Sequence, residues 1–179
     1  AGVLFTGSTD VARAIYRQLR ARDDDPVLVA ETGGQNAMIV DSSALAEQVV
    51  QDALVSAFDS AGQRCSALRV LCLQDDIADY VLAMLKGAMA ELAVGDPRRL
   101  ATDVGPVIDA DARAAIVAYV ASMRERGRPV FELLLPASAE QGTFVAPTLV
   151  ELPSLEALAG LKREVFGPVL HVVRYQPED

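Results

Sequence analysis

The chain has 179 residues, 51% of them hydrophobic, which supports a real core and excludes a disordered segment. Its net charge of −9, with Lys and Arg scattered rather than clustered, argues against nucleic acid and anionic membrane as partners of this region. No apolar run approaches the roughly 20 residues that span a bilayer, none reads as a signal peptide, and Cys65 and Cys72 are too few for a disulfide scaffold. A reducing, cytoplasmic setting is the expectation.

The chain opens in an apolar run, Val3 to Phe5, followed by Thr6-Gly7-Ser8-Thr9-Asp10 and then Val11, Ile15 and Leu19 at helical spacing. Ser8 or Thr9 can cap that helix. Strand, glycine turn and capped helix aim free backbone N–H groups at an anion, although an ordinary turn has the same pattern. The acidic run Asp23-Asp24-Asp25 and Pro26 end the helix. Residues 26–30 read as a buried strand that delivers Glu31 at its carboxyl end, beside Gly33-Gly34, where α/β folds place working groups. A solvated loop acid is the other reading.

Ala37 to Val40 is a second strand-like run. Asp41-Ser42-Ser43 predicts the start of a helix running to about Ser60, with Leu45, Val49, Leu54 and Phe58 on its apolar face. Then comes Ser-Ala-Gly-Gln-Arg-Cys-Ser-Ala-Leu, residues 60–68, with Cys65 at its centre. A thiol at the junction of an apolar helix and an apolar strand suits a nucleophile held on a rigid scaffold, although a buried structural cysteine is the commoner reading of such a position. Arg64 beside it offers positive charge. Residues 69–74 form a strand in which Cys72 is a core residue. Asp75-Asp76 leads a helix bearing Ile77, Val81, Leu85, Met89 and Leu92, and another runs from about Asp109 to Arg126. Residues 130–135 and 144–152 are strand-like, and Pro147 marks the second as interrupted or at a sheet edge. Leu155 to Leu161 is a short helix, Lys162 to Pro168 a loop, and Val169 to Tyr175 a closing strand that carries His171, the only histidine. Strands alternating with helices predict an α/β architecture.

A lone histidine gives no local support for a Cys-His hydrolase, and no ligand cluster supports a metal hydrolase. A cysteine with a carboxylate as base, beside a phosphate-binding turn, suits thiolate addition to a carbonyl, hydride loss to a dinucleotide and hydrolysis of a thioester.

Phe5-Thr6-Gly7-Ser8-Thr9, Glu31-Thr32-Gly33-Gly34, Gly62-Gln63-Arg64-Cys65 and Glu164-Val165-Phe166-Gly167-Pro168-Val169 occur in an order and at separations that resemble the NAD(P)-dependent aldehyde dehydrogenase superfamily. The wording around Glu31 and Cys65, with Gln35 where many members carry Lys, is most similar to the L-glutamate γ-semialdehyde (1-pyrroline-5-carboxylate) dehydrogenase half of the bacterial bifunctional proline utilization A group. The resemblance implies an aldehyde dehydrogenase-like catalytic domain over residues 34–179, truncated at its C-terminal end. Residues 1–33 would be the last strand-helix-strand of a Rossmann-like NAD-binding domain. By the same resemblance Cys65 is the nucleophile, with its backbone N–H as half of an oxyanion hole, and Glu31 is the base for the deacylating water. Gly7 and Ser8 hold the NAD pyrophosphate, and Gly33 lies near the nicotinamide. Glu164 binds the nicotinamide ribose, Phe166 packs at the nicotinamide end, and Ser66 holds the substrate carboxylate.

Both ends read as cuts inside a larger protein, so the isolated piece is expected to be inactive. The full-length protein is expected to be a homo-oligomer acting on a small aldehyde, with FAD only in a separate proline dehydrogenase domain if the parent is bifunctional. The other readings are a succinate semialdehyde type of dehydrogenase and a non-catalytic dehydrogenase-like interaction module.

Overall fold

The computed structural model describes residues 1–178 and divides into two compact units, Ala1–Gly34 and a second from Gln35 onward. In the first, β1 (Gly2–Gly7), α1 (Thr9–Arg20) and β2 (Val27–Thr32) form a βαβ unit with parallel strands. Ser8 adopts extended backbone geometry and accepts a hydrogen bond from the Val11 N–H at 3.3 Å, as an N-cap does. The parallel register sets Gly7 opposite Thr32 and Thr6 opposite Glu31. The expectation of a buried second strand is corrected here, because Val27 is 66% exposed and Val29 is also exposed. Two strands covered by one helix cannot bury both faces, and Ala12 is the one buried residue in α1.

The second unit is a five-stranded sheet in the order β3-β4-β7-β6-β5, comprising β3 (Asn36–Val40), β4 (Leu68–Gln74), β5 (Val130–Glu132), β6 (Thr148–Glu151) and β7 (Val169–Tyr175). Every pair is parallel except β5 with β6. β4 reads Leu-Arg-Val-Leu-Cys-Leu-Gln and is buried along all but its last residue, the continuous pattern of a central parallel strand. The helices α2 (Ala46–Phe58) and α3 (Asp75–Ala90) pack on each other and on β4 and β7, and α4 (Ala110–Glu125) packs on β5. Asp109 caps α4 by accepting from the Ala112 N–H at 2.7 Å.

Several boundaries differ from expectation for local reasons. Asp41 accepts from the backbone and hydroxyl of Ser43, a side-chain turn that delays α2 to Ala46 and leaves Leu45 65% exposed instead of on the apolar face. Val49, Val50, Ala53, Ala57 and Phe58 are its buried positions. Pro147 precedes β6 rather than marking an edge: β6 starts at Thr148 and lies between β5 and β7. Leu92 falls beyond the end of α3, and residues 155–160 form a 3-10 turn rather than an α-helix. Met89 and Cys72 are buried as expected.

Candidate active site

Cys65 is reached through an abrupt change of backbone direction. α2 ends at Phe58, and the 3-10 turn Asp59–Gly62 holds Ser60 (φ 55°), Ala61 (φ 52°) and Gly62 (φ 65°) in the left-handed region. Gly62 is required there twice over. A Cβ on it would stand 2.3 Å from the Gly167 carbonyl oxygen and 2.8 Å from that of Ala57, and its φ is one that L side chains rarely adopt. The Ala67 N–H then donates to the Arg64 carbonyl at 3.0 Å, which makes Cys65 and Ser66 the central pair of a turn, both exposed.

Side chains that sequence reasoning passed over pin this turn. The Asn36 amide, at the start of β3, donates to the carbonyls of Cys65 (2.7 Å) and Ala67 (3.0 Å). Gln63 accepts from the Ile108 N–H at 2.8 Å and donates to the Ser60 carbonyl at 3.2 Å, tying the turn to the loop before α4. The Arg64 guanidinium donates to the Val55 carbonyl at 3.0 Å, which ties it back to α2. Gln35 donates to the Leu161 carbonyl at 3.0 Å.

Arg69, the second residue of β4, is 1% exposed. Its guanidinium donates to the Gly62 carbonyl (2.7 Å) and the Gly167 carbonyl (3.0 Å), and twice to Oε1 of Glu164 (2.9 and 3.1 Å). It also lies 5.5 Å from the centre of the Phe166 ring, which is 46% exposed. The second unit therefore brings Cys65, Ser66, Glu164 and Phe166 into one neighbourhood. Burial holds the Arg69 guanidinium below its usual pKa, opposed by its bonds to Glu164. A Gly-Gln-x-Cys run followed by an arginine at the start of a strand was the available signal for this residue.

Gly7, Ser8, Glu31 and Gly33 belong to the first unit. The parallel register gathers them at the carboxyl end of β1 and β2, with Glu31 exposed and Gly33 at φ 66°. A Cβ at Gly7 would meet the tip of the Phe5 ring at 2.6 Å, so a side chain there would require that ring to move. The two cysteines differ in surroundings: Cys65 is exposed, whereas burial in β4 pushes the Cys72 thiol up.

His171 on β7 is 2% exposed and is hydrogen-bonded at both ring nitrogens. Nδ1 lies 3.0 Å from the Arg69 carbonyl, which can only accept, so Nδ1 carries the proton. Nε2 then accepts from the Tyr119 hydroxyl at 2.6 Å. Desolvation lowers the His171 pKa and raises that of Tyr119 to about 12.

The profile of the Aldehyde dehydrogenase family matches residues 1–179. Bifunctional protein PutA of Escherichia coli (strain K12) is 61% identical over 97% of this chain, which spans 14% of that protein's length. A 1-pyrroline-5-carboxylate dehydrogenase of Bacillus cereus (strain B4264) is 34% identical over 94% of this chain and 33% of its own length. Among solved structures, that of a Bradyrhizobium japonicum Proline Utilization A (PutA) mutant superposes with a TM-score of 0.92 at 52% identity, over 99% of this chain and 18% of the other.

Proposed function

From the premise that this chain belongs to the aldehyde dehydrogenase family, we propose that it supplies the nucleophile, the base and part of the cofactor grip of an NAD-dependent dehydrogenase for L-glutamate γ-semialdehyde. The observation that carries the reading is the exposed Cys65 on a turn fixed from behind by Asn36 and Arg69, with Glu164 bonded to the same arginine. A solved relative named for proline utilization and a curated relative named for pyrroline-5-carboxylate oxidation support the substrate.

In this reading the Cys65 thiolate adds to the aldehyde carbon, forming a C–S bond while the carbonyl oxygen takes up negative charge. The Cys65 backbone N–H donates to that oxygen. A nicotinamide dinucleotide held by Ser8, Gly7, Glu164 and Phe166 would supply the hydride acceptor that the oxidation requires. Glu31 then takes a proton from water as the water attacks the thioester, the C–S bond breaks, and glutamate leaves with the thiol restored. Ser66 holds the substrate carboxylate.

Residues of each unit, taken separately, suit parts of a dinucleotide. Ser8 caps α1 with its N-terminus at the carboxyl edge of the strands, where backbone N–H groups suit a pyrophosphate, and Gly7 precedes it without a side chain. Glu164 offers a carboxylate for ribose hydroxyls, and Phe166 an exposed ring for the nicotinamide end. Gly33 leaves the backbone bare beside Glu31. Residues 1–33 are accordingly the end of an NAD-binding domain, and residues from 34 onward belong to the thiol-bearing catalytic domain. The chain by itself turns over nothing. The full-length protein is a cytoplasmic homo-oligomer, and FAD belongs to a separate proline dehydrogenase domain where the parent is bifunctional. No helix among the described residues is long and apolar enough to cross a membrane.

The test is NADH formation by the full-length protein with glutamate semialdehyde and succinate semialdehyde compared, and Cys65→Ala as control. Selective turnover of glutamate semialdehyde, lost in Cys65→Ala, is expected. Turnover of succinate semialdehyde alone overturns the substrate, and none with either favours a non-catalytic module.

A further inference from the structure

Arg69 makes more directed contacts than the roles above require. Its planar fork reaches two chain segments at once: the left-handed turn through Gly62, and the loop before β7 through the Gly167 backbone and the Glu164 carboxylate. Gly62 and Gly167 are in such close approach that a Cβ on Gly62 would stand 2.3 Å from the Gly167 oxygen. The thiol-bearing turn and the Glu164 segment are therefore clamped together, with the arginine as the clamp. Resting on the reading of Glu164 as the ribose ligand, we propose that Arg69 is a positioning residue that sets the Glu164 carboxylate for NAD and registers it against the Cys65 turn.

Charge alone does not account for this arrangement. Two bonds converging on one oxygen, Oε1, pin that oxygen against the guanidinium edge, and other donors of the fork reach backbone carbonyls of both segments. Lysine has a single nitrogen on a flexible stem and cannot reproduce that spread, so Arg69→Lys keeps a buried cation while losing the geometry. The Phe166 ring, 5.5 Å from the guanidinium carbon, lies against the same clamp. Arg69 thus acts on cofactor and thiol through Glu164 and Gly62, touching neither.

The test is a double-mutant cycle in the full-length protein, with Arg69→Lys, Glu164→Gln and the pair, reading the NAD dissociation constant by direct titration. Each single substitution is expected to weaken NAD by about tenfold, and the pair by no more than the larger single effect. If Glu164→Gln binds NAD normally, the reading of Glu164 fails, and the proposal with it. If Glu164→Gln weakens NAD while Arg69→Lys does not, or the two effects multiply, the proposal alone fails. A second measurement leaves Arg69 in place, so it survives misfolding of the Arg69 variant. Glu164→Ala removes the anchor of the clamp and is expected to shift the Cys65 rate with iodoacetamide at least about threefold, since about 0.7 kcal/mol is a small part of a charge-assisted bond. An unchanged rate overturns the link.

Discussion

Ser60, Ala61 and Gly62 stand in succession in a conformation that costs non-glycine residues roughly 1–2 kcal/mol each. The surrounding bonds from Arg69, Asn36 and Gln63 hold the chain there. Gly62 has the least room to change. Gly62→Ala combines a strained φ with overlap of backbone oxygens, and a loss of about 2 kcal/mol or more in chemical unfolding of the full-length protein is expected. A loss under half of that would mean that the Gly167 segment moves aside easily. The thiols give a second residue-scale prediction. Exposed Cys65 is expected to react with iodoacetamide at least about tenfold faster than Cys72, whose thiol is pushed up by burial; mass spectrometry of modified peptides reads the ratio.

At the scale of elements, β4 and β7 carry the interior, and His171 is the titratable group between them. Its pKa is lowered in the folded chain, first by desolvation, with the Arg69 charge acting the same way. The unfolded chain therefore binds a proton more readily than the folded one. This contribution to stability is full above the ordinary histidine value near 6.5 and is lost as pH falls from there toward the folded value. His171→Gln is expected to flatten the pH dependence of the unfolding midpoint between about pH 7 and 5, at some cost to stability at neutral pH. An unaltered slope would assign that dependence to other groups.

The sequence order of strands and helices was legible throughout, because apolar periodicity and Gly/Pro punctuation are local signals. What was not legible came from long-range or side-chain competition. Asp41 favours its own turn with Ser43 over capping α2, and Pro147 stands just before an interior strand, where its carbonyl still accepts from the Leu133 N–H. In the candidate site, Cys65, Glu164 and the glycines stand out in the sequence because short local motifs carry them. Arg69 reads as an ordinary strand residue, since two of its partners, Glu164 and Gly167, lie 95 and 98 residues away and the nearer Gly62 is reached only through the left-handed turn. Asn36 was missed for the same reason, its partners being two carbonyls beyond α2.

At the scale of the whole molecule, the two units are built on different amounts of interior. The second has a continuous core running from Val40 to Val173, whereas α1 in the first buries only Ala12. In this chain, amides of β1 and β2 are expected to exchange with solvent well before those of β4 and β7, as measured by hydrogen exchange and mass spectrometry. Uniform protection across all four strands would contradict this.

The clamp between Gly62 and Gly167 also bears on the order of events in folding. The left-handed turn has little local preference for its shape, and the carbonyl, carboxylate and glycine that hold it arrive only when β7 and the loop before it have docked beside β4. Closing a loop of that length is entropically slow and comes before its contacts are rewarded. The turn that carries Cys65 is thus expected to take its final shape late, after the sheet on which it rests. Substitutions at Arg69 and Gly62 should accordingly speed unfolding while leaving the refolding rate nearly unchanged, which stopped-flow kinetics can read.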